Sequence, residues 1–115
     1  MPLPPASPGG GLLPFAGYSV RYLVDETTGA TWLAARDVLN VLRLDISRNP
    51  GRHLTKTPEA DKSFRTLLSA QGPQRSIVIT PAAAIALTRQ RKRTIDRQVR
   101  AFLTHHAALL GLEAA

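Results

Sequence analysis

Residues 18–24 alternate in character. Tyr18, Val20, Tyr22 and Val24 fall on one side of an extended backbone, with Ser19, Arg21 and Leu23 on the other, the pattern of a half-buried strand. "DETTGAT" follows as a turn in which Gly29 is free to take a positive φ. Trp32 and Leu33 then resume an extended segment, so a β-hairpin is expected over residues 16–33. The period changes in "AARDVLNVLRL". At about 100° per residue, Ala35, Val38, Leu39, Val41 and Leu42 share one broad face and Arg36, Asn40 and Arg43 the opposite stripe. In "SRNPGRHL", Asn49 before Pro50 has the form of an N-cap and first helical residue, and predicts a short helix over 50–54.

The second half repeats the order. "FRTLLS" and "RSIVIT" are strand candidates joined by the turn chemistry of "AQGPQ". Thr80 and Pro81 start a helix through "AAAIALTRQ", and Thr94 is placed to cap a last helix from 95 to about 110. On that helix Ile95, Val99, Phe102, Leu103 and Leu110 lie within about 100° of one another. The expected class is α+β: a small single domain of β-hairpins packed against three to four helices. Trp32, Phe64, Ile77, Ile85, Ile95, Val99 and Phe102 are its expected core. By composition, residues 1–13 are a flexible Pro/Gly-rich leader, 14–111 the domain and 112–115 a tail.

Charge adds a functional direction. The chain has 115 residues, with 15 Lys and Arg against 8 Asp and Glu, a formal net charge of +7. That balance favours polyanionic partners. Cysteine is absent, which excludes disulfides and thiolate chemistry and fits a reducing compartment. Apolar runs fall far short of the ~18 residues of a membrane span, and the N-terminus lacks the basic and apolar regions of a signal peptide. A cytoplasmic, nucleoid-associated protein without membrane contact is expected.

The basic residues concentrate in "TRQRKRTIDRQVRAF". Arg93, Arg97 and Arg100 sit at i, i+4 and i+7, nearly opposite the apolar face, and Arg91 and Lys92 extend the charge into the preceding connection. A solvated face is the plain alternative, but such faces normally mix signs. Like charges at helical contact spacing repel unless a polyanion offsets them, and the arginine fork suits phosphate and guanine. A second group, Arg48, Asn49 and Arg52, has base-reading chemistry, and its surroundings loosely have the form of a helix-turn-helix. A capped polar loop is the alternative there. His105 and His106 are adjacent and would point about 100° apart on a helix, so they do not form a chelating pair. No carboxylate pair, nucleophile triad or phosphate-cradling glycine loop is present, and neither an enzyme nor a cofactor is expected.

Taken together, "FAGYSVRYLVDETTGATWLAARDVLNVL" resembles the opening of the BRO family N-terminal domain (Bro-N), on Gly17, Val20, Arg21, Trp32, Ala35, Asp37 and Val38. "QGPQRSIVITPAAAIALTRQRKRTIDRQVRAFL" resembles its second half. Departures are Pro73 for a glycine, Pro81 for a glutamate, Val99 and Phe102 or Leu103 for a Phe and a Trp, and a missing tyrosine in the first helix. The resemblance covers about residues 15–110 and rests on the order and spacing of motifs, no one of which is specific. It implies a DNA-binding regulator of phage or prophage type, either short in its own right or part of a longer chain. The alternative is an antirepressor that binds a repressor protein. RNA binding is a third reading, disfavoured by the 5% aromatic content. The run "TPAAAIAL" and Leu109, Leu110 and Leu112 leave apolar surface that points to a homodimer.

Overall fold

The computed structural model describes residues 10–25, 27–47, 49–69 and 71–106. The alternating segments build one five-stranded antiparallel sheet of order β1-β2-β3-β5-β4. Its strands are β1 (Gly10–Phe15), β2 (Tyr18–Val24), β3 (Thr31–Ala34), β4 (Lys62–Ser69) and β5 (Gly72–Ile79). Three helices accompany it: α1 (Ala35–Val41), α2 (Pro81–Thr88) and α3 (Thr94–His105). The expected α+β single domain is therefore present, with both expected hairpins in place.

Alternation sorts the sheet into two faces. On one, Leu13, Val20, Leu33 and Ile79 pack with Ala35, Val38, Leu39 and Leu42 of the α1 segment, Ala83, Ala84 and Leu87 of α2, and Val99 and Leu103 of α3. The other face holds a smaller cluster of Ala34, Leu67 and Val78, flanked by Leu23 and Trp32. The Arg65 guanidinium lies 5.5 Å over the Trp32 ring and 3.1 Å from Asp25. Asp25 in turn accepts the N–H groups of Thr27 and Thr28 in the β2–β3 turn. These turn N–H groups and Arg65 hold its carboxyl below the usual carboxylate range.

Two helix starts follow the expected chemistry. Thr80 accepts the Ala83 N–H at 3.1 Å with Pro81 in the first turn. Asn49 accepts the Gly51 N–H at 3.0 Å and opens Pro50–Leu54. That segment is a five-residue 3-10 helix, too short and too tightly wound to lie in a groove, so the helix-turn-helix likeness of residues 35–54 does not survive. The end of α1 is a Schellman closure: the Arg43 N–H donates to the Asn40 carbonyl and the Leu44 N–H to that of Leu39. The residue that must turn left-handed is Arg43, at φ +59°, where glycine is usual and a side chain costs about 1–2 kcal/mol.

Four expectations need correction. The leader does not extend to residue 13, because Gly10–Phe15 is strand β1 and Leu13 is 3% exposed. A two-residue turn, Ala16 and Gly17 with φ +48° and +86°, joins β1 to β2. Residues 1–9 lie outside the described residues, as do Leu109, Leu110, Leu112 and the tail. Phe64 is not core: it is 54% exposed, at the rim of a cavity shared with Gly51, Leu54 and Ile77, with the Arg75 guanidinium over its ring. Trp32 lies against the smaller cluster, while Ile77, Ile85, Ile95 and Phe102 line the edge of the main one. The cap of α3 is Arg93, not Thr94, which is already helical. Finally, Pro81, Ala83, Ala84 and Leu87 of the run "TPAAAIAL" are buried within the chain, so the apolar surface it leaves for a dimer narrows to the exposed Ala82 and Ala86 and the half-buried Ile85.

Candidate nucleic-acid interface

The basic stretch divides where α3 begins. Asp96 is the sole carboxylate between residues 62 and 112, and its side chain is 1% exposed. The Arg93 backbone N–H donates to it at 3.0 Å, Nε at 2.9 Å and Nη2 at 2.8 Å. The same Nη2 donates to the Leu42 carbonyl at 2.9 Å. Hydrogen bonds from the guanidinium hold the Asp96 carboxyl below the usual carboxylate range despite its burial, and raise Arg93 in return. Arg93 therefore ties the start of α3 to the end of α1. Its assignment to a phosphate-binding ridge is corrected: its fork is already filled by a carboxylate and a carbonyl.

Around that tie the other cations reach solvent. Arg91 and Lys92 are exposed on the connection, with Arg89 beside them. Arg97 is exposed on α3, its Nη2 3.5 Å from the Thr94 hydroxyl, and Arg100 is half-buried one turn on. Because Arg93 grips Leu42, the exposed Arg43 arrives at the same place. Sequence reasoning placed Arg43 correctly on the solvent stripe of α1 but not next to α3. The available signal was Asp96: one acid on a basic helix, at the third position of its first turn, is chemistry for a cap.

The second proposed group is not assembled for reading bases. Arg48 lies outside the described residues. Asn49 gives its side-chain oxygen to the Gly51 N–H, whereas bidentate recognition of adenine needs both its oxygen and its nitrogen. Arg52 is exposed, 3.8 Å from Asp45, and His53 donates through Nε2 to the Asp45 carbonyl at 2.7 Å. Asp45 also accepts the hydroxyl and N–H of Ser47, which hold its carboxyl below the usual range. The loop is thus fastened to itself.

Arg21 and Asp37, both in the Bro-N-like opening, meet in a fork-on-carboxylate pair. Nε and Nη2 of Arg21 donate at 2.8 and 3.1 Å, and its backbone N–H at 2.9 Å. The role is structural: where β3 leaves the sheet, Asp37 takes over a backbone donor of β2. Among the described residues no group of His, Asp or Glu is placed to hold a metal ion, and no helix is long and apolar enough to cross a membrane. Comparison of the chain with models of known protein families, with curated proteins and with solved structures found no match.

Proposed function

We propose that the chain binds duplex DNA through the surface made by Arg43, Arg91, Lys92 and Arg97, as a transcriptional regulator of phage or prophage type. The observation that carries this reading is a group of exposed cations on α3 and the connection before it, where the sole carboxylate, Asp96, is buried and held by Arg93. No acid is left at the surface of α3 to mix the signs, so the repulsion is relieved by an external polyanion. The likeness to Bro-N supports the same reading, independently of geometry.

The test is the triple variant Arg91→Ala, Lys92→Ala, Arg97→Ala in fluorescence anisotropy on duplex DNA across a salt series, with RNA of the same length alongside. Binding to all duplexes is expected to weaken alike. The slope of log affinity against log salt should fall by about 0.9 for each phosphate no longer neutralised. These exposed side chains touch little of the fold, so stability should stay within about 0.5 kcal/mol. Unchanged affinity and slope would make the cluster a solvated face and leave repressor binding as the better reading.

A further inference from the structure

β5 pairs with β4 along its whole length, but β3 meets it only at Leu33↔Ile79 and Ala34↔Val78 before the chain turns into α1. The side of Pro73–Ile77 away from β4 faces no strand among the described residues. The ladder fixes which backbone groups point there. The β4–β5 hairpin closes Ser69 on Gly72 around a two-residue turn, and at its other end the Thr80 N–H donates to the Asp61 carbonyl at 3.0 Å. Hydrogen-bonded residues alternate in an antiparallel pair. Gly72, Gln74, Ser76, Val78 and Thr80 therefore turn their backbone groups to β4, and Pro73, Arg75, Ile77 and Ile79 turn theirs away. Ile79 is matched by Leu33. The N–H and C=O of Arg75, the N–H of Ile77 and the carbonyl of Pro73 open on the gap, while the Ala34↔Val78 pair gives the Ile77 carbonyl the Ala35 N–H. A proline is tolerated at that position because its missing N–H would have led outward.

This gap holds a cavity of about 330 Å³ lined by Ala34, Arg36, Gln74, Arg75, Ser76 and Ile77. Among the described residues that line it, the charged ones are two arginines, both exposed, and none is a carboxylate. The Arg75 guanidinium lies over the exposed Phe64 ring at 5.0 Å and forms no ion pair among the described residues. We propose that the gap takes an extended, carboxylate-bearing peptide segment of a partner protein, added as a strand antiparallel to β5 where β3 breaks off. A strand matches the donor and the acceptor of Arg75 together with the Ile77 N–H and the Pro73 carbonyl, whereas a phosphate backbone offers acceptors alone. Aspartate or glutamate on the peptide would face Arg75, with Arg36 at the end of the gap. The site shares no residue with the proposed DNA surface and stands without it.

Amide hydrogen exchange followed by NMR tests the proposal on the whole chain. Free protein is expected to exchange fast at Arg75 and Ile77 and slowly at Ser76 and Val78; slow exchange at the first two would mean the gap is closed, and overturn it. A seven-residue capped peptide alternating valine and glutamate is the probe, with its valine–lysine counterpart as control. At about ten times its Kd the glutamate peptide should slow Arg75 and Ile77 about tenfold. The lysine peptide should not, and the exposed-site variant Arg36→Glu, Arg75→Glu should reverse the preference. No effect of the glutamate peptide at millimolar concentration, an equal effect of the two peptides, or protection of these amides by duplex DNA instead would each overturn it.

Discussion

Arg93→Ala is expected to destabilise the domain by about 2 kcal/mol, while Arg97→Ala, four residues on, should change stability by less than about 0.5 kcal/mol. The first removes every side-chain partner from a carboxylate that is 1% exposed. Breaking a fully buried pair costs about 3–5 kcal/mol; the lower figure applies because the Arg93 side chain is 37% exposed and its replacement admits water. Asp96→Asn gives the pH signature. The folded-state pKa of Asp96 lies below its ordinary 3.8, so its contribution is complete above the unfolded value and is lost as pH falls through the folded one. The stability gap between the native chain and Asp96→Asn should be constant from pH 7 to about 5 and close towards pH 2. Urea melts at these pH values measure it, and a gap that widened in acid would refute the pairing.

Leu39→Ala should cost more, about 3 kcal/mol within a range of ~2–5. Leu39 is completely buried between α1 and the sheet, and its backbone carbonyl already closes the helix by accepting the Leu44 N–H. Well-packed neighbours collapse only partly into such a hole. Phe64→Ala, although it removes more atoms, should stay within about 1 kcal/mol, since the ring is 54% exposed and held chiefly by Arg75. Denaturant midpoints in the reverse order would contradict the layer assignment.

Local chemistry was legible in the sequence and tertiary partners were not. The wheel of α1 named Ala35, Val38, Leu39, Val41 and Leu42, and all five are buried. The caps at Asn49 and Thr80 rest on bonds two and three residues long, and both formed. Strand β1 is hard to read because glycine and proline also compose flexible segments. Gly11 instead admits the Tyr22 ring, whose hydroxyl would stand 2.8 Å from a Cβ there, and Pro14 lies on an edge strand. Phe64 shows the same limit from the other side: alternation marks a strand but not which of its apolar side chains is covered. For the binding surface, the spacing of the arginines revealed their shared face. The removal of Arg93 and the arrival of Arg43 both depend on the Leu42 carbonyl, 51 residues away from Arg93 in the chain.

The strand order carries a kinetic consequence. β1-β2-β3 and β4-β5 are each closed by short turns, but the sheet becomes one through only two residue pairs, Leu33↔Ile79 and Ala34↔Val78. Each hairpin forms locally within microseconds, whereas joining them closes the connection from Ala34 to Lys62, a loop of about thirty residues, before any packing rewards it. The seam is therefore the expected nucleus of folding. Val78→Ala should slow refolding in stopped-flow measurements with little change in the unfolding rate, and Leu103→Ala, on α3 and away from the seam, should do the opposite.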